Sequence, residues 1–152
     1  MKKMIVFILS VCFFQHLHAD ILTVTNAEDS GIGSLRRFVE IANPGDSIVF
    51  EQSMKGKTIE LLSQINIDKS IAIDGKNAPG ITIGGKNISQ VFFIQSDFVR
   101  LHNLTFTNEG TKELQRKTIY AYHCPSLLIE NCTFSKNTQN NTNIITPVQT
   151  IR

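Results

Sequence analysis

Apolar residues at alternate positions recur along this chain in three interleaved sets. Alternation places every second side chain on one face of a strand. The first set pairs Ile65/Ile67, Val91/Phe93 and Ile119/Ala121, at intervals of 26 and then 28 residues. The second pairs Ile71/Ile73, Val99/Leu101 and Leu127/Ile129, at intervals of 28 and 28. The third pairs Ile81/Ile83, Leu104/Phe106 and Cys132/Phe134, at intervals of 23 and 28. Three short strands per repeat predict a solenoid, each strand pairing in parallel with its counterpart one coil away. Inward side chains then stack like on like, as Phe106 over Phe134. "SIVF" (47–50) and "TIEL" (58–61) supply an incomplete coil before the regular ones.

The residues between the sets describe corners. The second set is followed by Asp74-Gly75, His102-Asn103 and Glu130-Asn131. Gly and Asn enter the left-handed backbone region at least cost. Gly75, Asn103 and Asn131 are therefore expected at sharp corners, the two Asn side chains hydrogen-bonding along the stack. Corner lengths differ: "GKNAP" separates Ile73 from Ile81, whereas the next two coils turn tightly. "TNEGTKELQRK" (107–117) is a charged excursion, read first as a solvated loop and second as a binding loop. Upstream, Ser34 can cap a helix whose Leu35, Phe38, Val39 and Ala42 share one face, with Asn43-Pro44-Gly45 to stop it. An amphipathic helix there is expected to plug the open end of the solenoid, whose strand edges are unpaired.

The start of the chain reads differently. Lys2 and Lys3 precede an apolar run from Met4 to Phe14, and a short polar stretch ends at Ala19. That is the layout of a secretory signal peptide, too short for a membrane-spanning helix. Cys12 sits in "LSVC", where Val11 argues against a lipoprotein cysteine. The expected organisation is a signal peptide at 1–19, a strand and capping helix at 20–46, coils at 47–137 and a polar tail at 138–152. Export places the mature chain outside the cytoplasm: secreted, periplasmic or associated with the cell surface. It leaves no transmembrane segment once the signal is cleaved. The formal charge of +2 comes from Lys2 and Lys3, so residues 20–152 are neutral overall. A neutral chain without a basic run gives no support for nucleic-acid binding. Export also opens a disulfide between Cys124 and Cys132, and their spacing leaves that and two free thiols as alternatives.

"SLRRFVEIANPGDSIVF", "INIDKSIAIDGKNAPGITIGG" and "VRLHNLTFTN" resemble the opening of exported bacterial right-handed parallel β-helix proteins. The resemblance is strongest to the passenger regions of chlamydial polymorphic outer membrane proteins and related adhesins. It spans roughly residues 21–137. It implies an all-β, right-handed parallel β-helix of about three to four coils with an N-terminal amphipathic capping helix. It also implies surface display and a role in adhesion. The Gly-Gly-Ala-Ile tetrapeptide of that group is absent, and its Phe-x-x-Asn companion occurs at Phe134–Asn137. A short or truncated relative fits this pattern.

Candidate chemistry is sparse. Stacked coils lie about 4.8 Å apart, so the column Asp74–His102–Glu130 places its two carboxylates roughly 10 Å apart. Glycosidic hydrolysis needs two carboxylates about 5–9.5 Å apart, and the neighbouring Gly and Asn residues suit a corner better than an active site. His123-Cys124-Pro125 lacks a second cluster at metal-ligand spacing and reads as a corner before a strand. "IGGKN" (83–87) lacks the helix a phosphate loop needs. Asn-x-Ser/Thr triplets begin at Asn87, Asn103, Asn131 and Asn140, and turn preference accounts for them. The expected function is a non-enzymatic, surface-associated or adhesin-type binding module with a host-surface or glycan ligand and no cofactor or metal. Its polar, Asn/Thr-rich tail (138–152) either folds back over the solenoid end as a partial cap or leaves that end open for a partner or for self-association. The alternatives are a pectate-lyase-like carbohydrate-active enzyme or its remnant, and a truncated fragment of a longer surface protein.

Overall fold

The computed structural model describes residues 18–86, 88–109, 117–135 and 144–145. The expected signal segment up to residue 17, residues 110–116 of the expected excursion and most of the tail lie outside the described residues, whereas 107–109 and Lys117, expected in that excursion, are strand residues. Among the described residues thirteen short strands form three parallel sheets. The first sheet runs β1 (Ile21–Val24), β2 (Ser47–Phe50), β5 (Ile71–Asp74), β8 (Phe98–His102), β11 (Ser126–Glu130). The second runs β3 (Thr58–Leu61), β6 (Thr82–Lys86), β9 (Thr105–Glu109), β12 (Thr133–Ser135). The third runs β4 (Ile65–Ile67), β7 (Gln90–Ile94), β10 (Lys117–Ala121), β13 (Ile144–Ile145). From β2 onward each turn of the chain gives one strand to each sheet, so the fold is a β-solenoid of about four turns.

The register explains why these residues make these strands. Ile48, Ile73, Leu101 and Ile129 align across the first sheet, as do Ile71, Val99 and Leu127. Ile59, Ile83, Phe106 and Phe134 align across the second. β-Branched and aromatic side chains at these inward positions fit a pleated, half-buried surface. The Phe106 and Phe134 rings stack at 5.3 Å, and Phe92 of the third sheet meets Phe106 edge-on at 5.6 Å. The core is thus continuous from sheet to sheet and from coil to coil.

One expected track is displaced by a residue. Phe92 and Ile94, rather than Val91 and Phe93, pair with Ile65/Ile67 and Ile119/Ala121, giving a period of 27 on both sides. "QVFFI" carries four successive apolar residues, so alternation alone sets no phase there. Since a one-residue slip turns every side chain to the other face, Phe93 points outward, where its ring lies 5.6 Å from Tyr120.

The helix α1 (Leu35–Ile41) forms where its pattern predicts. The Ser34 hydroxyl accepts from Arg37 N, and Leu35 and Val39 are buried. Both ends are tied to the coil. The Arg36 guanidinium donates to Ser63 O and Gln64 O and pairs with Asp29 at 2.6 Å. Lys69 Nζ donates to Glu40 O near the last turn, where a cation also suits the helix dipole. α1 packs against β1, β2 and β4. Nearby, Asp46 is buried and its carboxylate accepts from the main-chain N–H groups of Asp20 and Asn43. Among the described residues no helix is long and apolar enough to cross a membrane.

Removing an aromatic ring from the middle of the stack leaves a cavity that the neighbouring coils cannot close. Phe106→Ala is expected to cost about 3–5 kcal/mol of unfolding free energy. Phe134→Ala, at a half-buried position, should cost clearly less. Urea denaturation followed by circular dichroism measures both; equal losses would show that Phe106 is not the more deeply packed ring.

Candidate functional site

The corners between the first and second sheets change length midway along the stack. Residues 51–57 and 75–81 fill them in the first two coils, whereas the next two use only Asn103-Leu104 and Asn131-Cys132. The long corners stack on each other: Gly56 N donates to Pro79 O at 3.1 Å. They form a ledge above the tight corners. The step encloses a cleft of about 310 Å³. Gly75, Lys76, Pro79 and Gly80 make its wall, and Asn103, Leu104, Thr105, Asn131 and Thr133 make its floor.

The tight corners depend on asparagine. Asn103 and Asn131 adopt φ of 55° and 52°, left-handed values that other L residues reach only at a cost. His123, which the sequence analysis did not single out as left-handed, has φ 53° in the corner before β11. Gly75 differs from its expected role, since it lies outside the positive-φ residues. Its requirement is space: a Cβ there would collide with Asn103 O and sit 2.7 Å from Ile81 Cγ2. The longer corner of its coil removes the need for a left-handed turn, and close contact with Asn103 of the next coil excludes any side chain.

A polar network climbs this edge. Asp74, His102 and Glu130 are in register on neighbouring coils. His102 Nδ1 lies 3.7 Å from Asp74 Oδ2, and Nε2 lies 3.8 Å from Glu130 Oε2. Asn103 Nδ2 donates to Asp74 Oδ1 at 2.8 Å, and Asn131 Nδ2 lies 3.2 Å from His102 Nε2. The carboxylates thus address opposite sides of one imidazole instead of converging on a common point. Among the described residues no group of three His, Cys, Asp or Glu is arranged to hold a metal ion.

Cys124 and Cys132 are not joined. Cys124 lies in the corner before β11 and Cys132 in the corner after it, and both are free thiols. A five-residue strand separates them by about 16 Å at the usual rise, well beyond the 4.4–6.8 Å that a disulfide spans between Cα atoms. Cys124 Sγ reaches Ser126 O at 3.6 Å and Cys132 Sγ reaches Glu130 O at 3.3 Å. Burial pushes both thiols above their ordinary value.

The cleft brings Gly75, Asn103 and Asn131 together with Lys76, which the sequence reading assigned to no site, and with Thr105 and Thr133, which alternation places on an outward polar face. The signal was present in the unequal corners, because a length step between stacked coils must leave a recess. Chemically the cleft offers hydroxyls, amides and one ammonium group beside the apolar surface of Leu104 and Pro79. Such a lining suits a polar ligand with an apolar face. Comparison with protein-family models, curated proteins and solved structures finds no match to this chain.

Two outcomes follow from this geometry. Asn103→Ala loses both the bond to Asp74 and the easy left-handed turn, and should cost about 1–2 kcal/mol. Asn103→Gly keeps the turn and should cost less; the reverse order in denaturant titrations would remove backbone conformation as the reason for asparagine. Both thiols should react slowly with a disulfide reagent in the native chain at neutral pH. Their rates should climb with pH through a midpoint above the ordinary thiol range, because the thiolate is the reactive form. Rapid labelling at pH 7 would contradict their burial.

Proposed function

We propose that this chain is an exported, non-enzymatic, right-handed parallel β-helix that serves as a surface-associated, adhesin-type module and binds a glycan in the cleft between its long and short corners. The observation that carries the reading is that cleft, lined by Lys76, Thr105, Asn131 and Thr133 around Leu104 and Pro79. Sugars present hydroxyls along one edge and C–H groups on a face, and small-ligand sites combine an apolar lining with a few placed polar groups. Repetition supports it further. Thr58, Thr82, Thr105 and Thr133 align in register across four coils, so successive hydroxyls recur at the coil spacing beside the cleft.

The non-enzymatic part rests on the acidic column. Hydrolysis of a glycosidic bond needs two carboxylates flanking that bond, whereas Asp74 and Glu130 flank His102. Export rests on the basic start, the apolar run Met4–Phe14 and the small residue Ala19. α1 serves as the cap of the stack. Its contacts with β1, β2 and β4, and its ties through Arg36 and Lys69, support that role. An apolar face with Leu35 and Val39 buried covers inward side chains that would otherwise meet water.

Residues 20–152 on a glycan array should retain a discrete set of oligosaccharides, with affinity then measured by calorimetry. Lys76→Ala and Thr133→Val should each weaken binding about fivefold or more, the loss expected for one hydrogen bond of about 1 kcal/mol, without lowering the melting temperature appreciably. Retention of no glycan, or variants that bind unchanged, would overturn the assignment. Release of unsaturated oligomers from polygalacturonate in the presence of calcium would instead establish the enzyme.

A further inference from the structure

We infer that the glycan is an unbranched, uncharged polymer that lies along the axis of the stack over the outer face of the second sheet, with one end in the cleft. This rests on the glycan-binding reading above and names the ligand class of that site. The strands of the second sheet share two outward positions in all four coils. The first rank is Thr58, Thr82, Thr105 and Thr133, and the second is Glu60, Gly84, Thr107 and Ser135. Ile59, Ile83, Phe106 and Phe134 stand between the ranks and pack into the core, which sets both ranks outward.

Neither rank holds a large apolar side chain. The outer faces of the other sheets do: Phe98 on the first, and Phe93 and Tyr120 in ring contact on the third. Gly84 keeps the second face flat. A Cβ there would lie 3.0 Å from Glu60 Oε1 and 3.0 Å from Thr107 Oγ1, so the Glu60 carboxylate lies down over the glycine. Gly84 is not among the positive-φ residues, so room for Glu60, not backbone freedom, is its use.

The direction of the ligand follows from the dimensions. Along a strand the two ranks are about 6.6 Å apart, and the corners then end the face. Along the stack a threonine recurs about every 4.8 Å over four coils, roughly 14 Å in all. A pyranose unit in an extended chain is about as long as one coil is high, so successive sugars meet successive threonines. The column enters the cleft without a break, since Thr105 and Thr133 belong to the cleft floor. Thr82 Oγ1 donates to Gly80 O at 3.3 Å and still accepts through its lone pairs. Charge selects among polymers. A carboxylate only accepts, so Glu60 takes hydrogen bonds from sugar hydroxyls and repels a carboxylated sugar. Lys76 meets only the end seated in the cleft.

Calorimetry on residues 20–152 decides this, with two-unit and four-unit oligomers of cellulose, chitin and mannan, and with oligogalacturonate of both lengths. In at least one neutral series the four-unit oligomer should bind about tenfold tighter than the two-unit one, through the added hydrogen bonds. Oligogalacturonate should bind more weakly than that oligomer. Thr58→Val removes the column's first hydroxyl, three coils from Thr133. Gly84→Leu lifts Glu60 and raises a ridge across the face. Each should cut the ratio of four-unit to two-unit affinity about fivefold, the weight of one hydrogen bond, and both variants should keep a cooperative melt. Equal affinity for the two lengths, an unmoved ratio in either variant, or tighter binding of oligogalacturonate overturns this inference and leaves the cleft reading standing. Binding of none of these oligomers overturns the glycan reading and this inference with it.

Discussion

Everything in this molecule follows from parallel pairing between one coil and the next. A parallel ladder aligns identical positions, so whatever stands inward in one coil stands on its counterpart in the next. Aliphatic residues tolerate that arrangement at every level, which is why Ile48, Ile73, Leu101 and Ile129 form one column. Aromatic residues add ring contacts along a column, as Phe106 does over Phe134 at 5.3 Å. The same rule governs the outer faces. Thr58, Thr82, Thr105 and Thr133 are aligned by the ladder whether or not anything binds them.

That rule also explains how much could be read from sequence. The first-sheet column Ile71, Val99, Leu127 was legible because each strand alternates cleanly. The helix was legible because its cap, its apolar face and its stop signal agree. β7 was not, because four successive apolar residues satisfy either phase, and the ladder chooses Phe92 through its neighbours on β4 and β10. Gly75 was legible as a corner glycine for a different reason from the actual one. A left-handed turn leaves a local signature, but a clash with Asn103 O belongs to a residue 28 positions away and appears only once the coils are stacked. The cleft was half legible. Unequal corners were visible, yet which side chains would line the recess depends on which coil overhangs which.

A strictly regular solenoid has no preferred place for a ligand, since each level presents the same surface as the next. Specific recognition requires a break in the repeat, and the step between corner 75–81 and the two-residue corners below it is such a break. Below the ledge the ladder brings together Asn103 with Asn131 and Thr105 with Thr133. Regularity multiplies the polar groups, and the irregular corner gives them a wall. The Asp74–His102–Glu130 column sits at the same edge because the ladder that aligns hydrophobic residues inside aligns these charged ones outside.

The position of the cleft also ties binding to stability. Its wall comes from the second coil, and its floor reaches Asn131 and Thr133 in the fourth. Burial is uneven over that span: Leu101 and Phe106 are fully buried, whereas Ile129 and Phe134 are only packed against the core. Among the described residues the fourth coil thus shows less apolar burial than the third, and segments with few buried contacts open first. A ligand that touches both the ledge and Thr133 bridges the well-buried coils to this weaker one. Since any species that binds only the folded form stabilises it by mass action, occupancy of the cleft and order in the last coil must rise together. The same parallel ladder that builds the recess makes its floor depend on residues beside the less buried Ile129 and Phe134.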